Sequence, residues 1–291
     1  MRQGTGSGSL TGLLFVLPAI LLLVILLYGP AAMSIFNSLH TLKGVTPDRF
    51  VGLDNYARLL ANPTLPSVVW TTTVFVILAT VLTVALATLI ALAADSLPAT
   101  PARIAQIGII LPWAISAVVG ALLFRWFYIS DLGLFRHALA ALGFGNVDPL
   151  MNPTTAMAAL VASAAWKKLG FAVILILAGL KAIPRDLYEA AHVDGASGFQ
   201  VFRLVTLPML AGPLLICTVV LAIADLNSVE LPLVVTGGGP LGSTTTVALA
   251  IYSMAFSQYD IQGALTLAVL TFLINIVLVA VYVRIVRRRR A

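Results

Sequence analysis

Five ionisable or amide side chains stand where the surrounding sequence is almost wholly apolar. Lys167 and Lys168 follow Trp166 directly, and Asp225, Asn227 and Glu230 cluster near the end of a later apolar run. A charge at membrane depth costs several kcal/mol, so such groups face a bundle interior or an aqueous cavity. Two readings stand for these residues. They line a shared polar path, or the lysines snorkel to headgroups while the acids sit near the interface. Neither reading is catalytic. His40, His137 and His192 fall in three separate polar stretches, and the HVDG stretch offers two ligands at most, too few for a metal. The single cysteine, Cys217, lies within an apolar run and reads as a small buried residue. No catalytic residue and no metal ligand set is expected.

The elements that would position these groups are apolar helices. The chain is 60% hydrophobic and 10% charged, with a mean hydropathy of +1.04, far outside the range of soluble domains. About 20 apolar residues span the hydrocarbon as a helix. Six runs meet that length, at roughly 10–36, 67–93, 105–127, 155–180, 209–232 and 262–284. The expected fold is therefore all-α, a polytopic membrane protein with six transmembrane helices. The first run is too long for a signal core and is read as a retained helix. A polar segment, 41–66, holds FVGLDNYARLL and reads as a loop with a short surface helix; a second, 130–152, separates the third and fourth runs. The net charge of +6 is concentrated in VYVRIVRRRRA, a membrane stop at the C-terminus rather than a nucleic-acid surface.

Orientation follows from the basic residues. A cytoplasmic N-terminus puts ten inside (Arg2, Arg103, Lys181, Arg185, Arg203, Arg284 and Arg287 to Arg290) and five outside (Lys43, Arg49, Arg58, Arg125 and Arg136). Both termini and the segment 181–208 then face the cytoplasm. That segment holds Lys181, Arg185, Asp186, Glu189, His192, Asp194 and Arg203, with small and aromatic residues recurring at helical spacing. It is built to dock. Further on, LPLVVTGGGPLGSTTT cannot continue a helix. It lacks the helix-opening lysine of a phosphate cradle and reads as a reshaped backbone at an outer mouth.

The polar segment also carries a family pattern. Glu189-Ala190-Ala191, then Gly195, then nine residues and Val205-Thr206-Leu207-Pro208 resembles the EAA loop of permease subunits in bacterial ATP-binding-cassette importers. LKAIPRDLYEAAHVDGA, GLDNY at 52–56, WKKLGF at 166–171 and TGGGP at 236–240 resemble its carbohydrate-uptake branch, the maltose, glycerol-phosphate and trehalose type. The resemblance covers about 10–286 and implies a type I importer permease fold: a cytoplasmic N-terminus at 1–9, a six-helix permease domain at 10–286 and a basic tail at 287–291. It implies a second permease subunit, a distinct homologue, with two cytosolic ATPases that bind ATP and Mg, and an extracytoplasmic binding protein. No cofactor is expected in this chain, and its surroundings are lipid rather than nucleic acid. The implied location is the bacterial cytoplasmic membrane.

By the same resemblance, Glu189, Ala190, Ala191, Asp194, Gly195, Leu207 and Pro208 couple to the ATPase. Trp166, Lys167, Asp225, Asn227, Ser228 and Glu230 line the substrate path. Relatives often carry Phe-Asp where this chain has Val229-Glu230. Lys167, Lys168 and Arg125 leave an anionic substrate open. Two competing classes are weighed. An ion-coupled secondary transporter would relay protons through Lys167, Asp225 and Glu230, but no internal repeat is seen and the EAA pattern is left unexplained. An intramembrane enzyme on lipid-linked sugar needs paired carboxylates beside a basic cluster, which the cytoplasmic loops lack.

Overall fold

The computed structural model describes residues 7–129, 133–135, 137 and 148–290. Arg136 and most of the 130–152 segment lie outside the described residues. The chain divides into two compact units, one of residues 64–250 with 273–291 and one of 1–63 with 251–272.

In the larger unit, α7 (Pro153–Lys181) is the central element. It packs on α4 (Leu65–Asp95), α5 (Ala99–Ala114) and α10 (Leu207–Leu226). Lipid is as apolar as leucine, so helices associate in the membrane by close approach of small residues. The buried side of α4 follows this rule, with Phe75, Ala79, Thr83, Ala87 and Ala91 recurring every fourth position. Gly170 of α7 carries the same logic to its limit: a Cβ there would collide with the Ile109 carbonyl oxygen of α5. At Gly179 a Cβ would lie 2.6 Å from Pro213 Cγ of α10. Cys217 is buried in this apolar core beside Leu210 and Leu221.

Among the described residues, five helices are long and apolar enough to span a membrane, or six with one bent pair counted as a span. The bend corrects the expectation of one continuous third helix at 105–127. Helix α5 ends at Ala114, Ile115 and Ser116 are extended, and α6 (Ala117–Tyr128) leaves at 96°. Pro112 contributes by lacking an N–H.

The fifth span is corrected in the opposite sense. It starts at Gly198 rather than 209, and ends at Leu226 rather than 232. Its first turns are α9 (Gly198–Val201) and a π turn (Phe202–Thr206) that runs into α10. Pro208 therefore does not start the membrane helix. Its ring cannot sit on a regular turn, and the wider π turn just before it absorbs the misfit. The first span repeats the device, with a π turn (Val24–Tyr28) ahead of Pro30. Between α7 and α9 lies α8 (Arg185–Val193). After α10 come a π turn (Pro232–Thr236), α11 (Val247–Phe256) and α12 (Ile261–Arg290).

In the smaller unit, α1 (Ser7–Leu23) continues through the π turn into α2 (Gly29–Ser38). The 41–66 segment is more than a loop with a helix. It opens with an antiparallel hairpin, β1 (His40–Lys43) with β2 (Thr46–Phe50), and then forms α3 (Asp54–Leu60). GLDNY acts there as a clamp. Gly52 takes φ +57°, which favours glycine, and Asn55 donates to the Ser38 and His40 carbonyls at 2.7 and 3.0 Å. The Tyr56 hydroxyl meets Ser38 Oγ at 2.6 Å, and Gln262 closes the hairpin by accepting from Leu42 N at 3.0 Å.

Candidate functional site

Successive helical residues point about 100° apart, so the adjacent lysines of α7 reach different neighbours. Lys167 turns to the break between α5 and α6. The last carbonyls of α5 have no helical partner, and the Lys167 ammonium donates to two of them, Pro112 O at 3.1 Å and Trp113 O at 2.9 Å. Gly120 of α6 keeps room for it, with the Lys167 stem 3.5 Å from where a Cβ would stand. The cation also sits at the negative end of the α5 dipole. Lys168 turns to α10 and forms an ion pair with Asp225. Asp225 is 1% exposed, and its other oxygen accepts from Thr80 of α4 at 3.4 Å. One buried carboxylate thus ties together three helices.

Beside the last turns of α10 lies a recess of about 440 Å³. Its walls include Trp113, Phe171, Lys167, Lys168, Asn227 and Glu230, with Ser228 also on its rim. The rings of Trp113 and Phe171 lie 5.9 Å apart on one side. Asn227 exchanges amide hydrogen bonds with Asn275 of α12 at 3.1 and 3.2 Å. Among the residues expected on a substrate path, Lys167, Asn227, Ser228 and Glu230 come together here. Asp225 stands behind the wall in its ion pair, and Trp166 packs edge-on against Phe124 of α6, 5.1 Å away. Sequence reading missed Trp113 and Phe171 as lining. Trp113 does adjoin Pro112, and Phe171 follows Lys167 by one helical turn, the only signals available.

The second candidate region is the polar segment between α7 and α10. No residue of α8 is buried. Glu189, Ala190, Asp194, Gly195, Leu207 and Pro208 are exposed and Ala191 is half-buried. Gly195 reverses the chain at φ +73°, and Ser197 then restarts it with a capping box, its backbone N–H donating to Gln200 Oε1 at 2.7 Å. The Tyr188 and Thr206 hydroxyls, 3.4 Å apart, connect α8 to the membrane helix. At the opposite stretch, TGGGP is pinned by Thr244 Oγ1, which lies 2.7 Å from both Thr236 Oγ1 and the Gly239 carbonyl oxygen, within hydrogen-bonding distance of each. Among the described residues, no three His, Cys, Asp or Glu side chains converge as a metal site.

Residues 87–291 match the family model of the binding-protein-dependent transport system inner membrane component. The chain belongs to that family. It is a multi-pass permease subunit of an ATP-binding-cassette importer, and this membership displaces the ion-coupled alternative. The sulfoquinovosyl glycerol transport system permease protein SmoG of Agrobacterium fabrum is 33% identical over 282 residues, covering 96% of this chain and 91% of that one. The trehalose/maltose transport system permease protein MalF of Thermococcus litoralis is 32% identical over 283 residues, covering 96% and 94%. A solved bacterial alginate transporter, in complex with an alginate pentasaccharide-bound periplasmic protein, contains a chain with the same permease fold. The TM-score is 0.80 at 23% identity, with 94% and 93% of the two chains covered.

Proposed function

We propose that this permease subunit forms half of a translocation path for a glycoside, with its recess as the membrane-depth stop on that path. An extracytoplasmic binding protein delivers the sugar. A second, homologous permease supplies the facing wall, and two cytosolic ATPases that hold ATP and Mg dock on α8 and the turn at Gly195. Both termini lie in the cytoplasm of a bacterial cell, as the ten-to-five distribution of basic residues favours. The names of the two relatives support a sugar as cargo.

The observation that carries this reading is continuity. Helices α7 and α10, which wall the recess, are also the two helices that hold the exposed α8 segment. Closure of the ATPases around ATP moves that segment as a body and rocks both helices, so the recess changes the side to which it opens. The device works only because ATP interacts differently with the two states. Glu189 and Asp194 offer acceptors to the partner, while Ala190, Ala191 and Gly195 keep its approach close.

The test is Gly195→Leu in the assembled transporter. The backbone there costs a side chain about 1–2 kcal/mol, yet a Cβ meets nothing within 4 Å in this chain. Insertion and assembly should persist while ATP hydrolysis no longer drives uptake. Normal uptake per ATP in this variant would remove the docking role.

A further inference from the structure

The recess holds more charge than its substrate can use. Lys167 is 9% exposed, and its ammonium is taken by two carbonyls at the end of α5. Lys168 is neutralised by Asp225, whose side chain is fully buried. Drawing either lysine toward an anionic ligand would leave two helix-end carbonyls without their donor or a buried carboxylate without its cation, and both are costly. Glu230 is the contrast. It is exposed on the recess and has no hydrogen bond or ion pair among the described residues.

We propose that this recess selects an uncharged glycoside and that Glu230 is its specificity determinant, accepting sugar hydroxyls and repelling phosphorylated or sulfonated sugars. The inference rests on the proposed role of the recess as part of the sugar path. A carboxylate accepts two hydrogen bonds at once and suits a pair of neighbouring hydroxyls. Asn227 and Ser228 stand beside it, and Trp113, 49% exposed, gives the apolar face of a sugar ring a surface to lie on. An anion finds the opposite environment: two ammoniums already engaged, Lys167 by the α5 carbonyls and Lys168 by Asp225, and one unpaired carboxylate. The names of the two relatives point to both chemistries, a sulfonated glycoside in one and uncharged disaccharides in the other. The charge arrangement here places this chain with the second.

The experiment uses the complete transporter with its binding protein in liposomes, and measures ATP-dependent uptake of maltose, trehalose, glycerol 3-phosphate and sulfoquinovosyl glycerol. Wild type should take up an uncharged disaccharide at least tenfold faster than either anion. Glu230→Lys should shrink that ratio at least tenfold, and Glu230→Gln, which keeps the side-chain shape, about threefold. Because the binding protein is the same throughout, the change in ratio reports the recess. Equal or faster uptake of an anion by wild type overturns the substrate class alone, as does an unchanged ratio in both variants. ATP-dependent uptake of none of the four overturns the reading of the path as well.

Discussion

Between Arg185 and Pro208, the side chains of Arg185, Asp186, Glu189, Asp194 and Arg203 are all exposed, whereas Asp225, 17 residues beyond Pro208, is 1% exposed and locked to Lys168. The first region leaves its charges exposed. The second closes most of them on itself, because a lone ion at membrane depth costs too much to maintain. Exposure and satisfaction therefore sort these polar residues better than residue type does: Lys167 and Lys168 are built into the frame, and Glu230 stays exposed on the recess.

Breaking the buried side of this contrast should produce the largest effect. Asp225→Ala strands the Lys168 ammonium and should cost about 3–5 kcal/mol, read as a lowered unfolding midpoint of the purified complex. Pairing it with Lys168→Met should recover most of the loss. A double variant as unstable as the single would show that the pair is not what the carboxylate satisfies. Next comes Lys167→Met, which leaves two carbonyls of α5 without their donor. The expected loss is roughly 1.5–3 kcal/mol, with faster amide exchange confined to the residues around the bend. Least of all should be Glu189→Ala on the exposed side. Surface changes of this kind leave stability nearly untouched, so its unfolding midpoint should match wild type while uptake per ATP falls. A drop in midpoint instead would make Glu189 part of the frame.

The same contrast explains what was legible in the sequence. The six apolar runs and the exposed polar segment follow from local composition, and α8 is ended by features that are themselves local, Gly195 and the Ser197/Gln200 box. The bend at Ile115 is not local. Pro112, Pro208 and Pro213 all lie in or beside apolar runs, yet one adjoins a break, one is absorbed by a π turn and one packs on Gly179. At Pro112 and Pro213 the outcome depends on packing against α7, whose Lys167 satisfies the carbonyls that the break exposes and whose Gly179 receives the Pro213 ring. Adjacent lysines likewise look equivalent until the helix turns them toward different partners. Trp166 was expected on the path and Trp113 was not, because an aromatic ring in an apolar run carries no sign of which side it faces.

The unbroken span Gly198–Leu226 fixes the gearing between the two regions. At 1.5 Å per residue it is a rod of roughly 40 Å, so a tilt of about five degrees at the Gly195 end sweeps the far end through roughly 3–4 Å. Asp225 lies one residue from that far end, and the close approach of Gly179 and Pro213 lies near the middle of the rod. With α7 fastened to the rod at both places, the pair resists shear as a braced frame does. Small rotations would then arrive at the recess as displacements comparable to the width of a sugar hydroxyl.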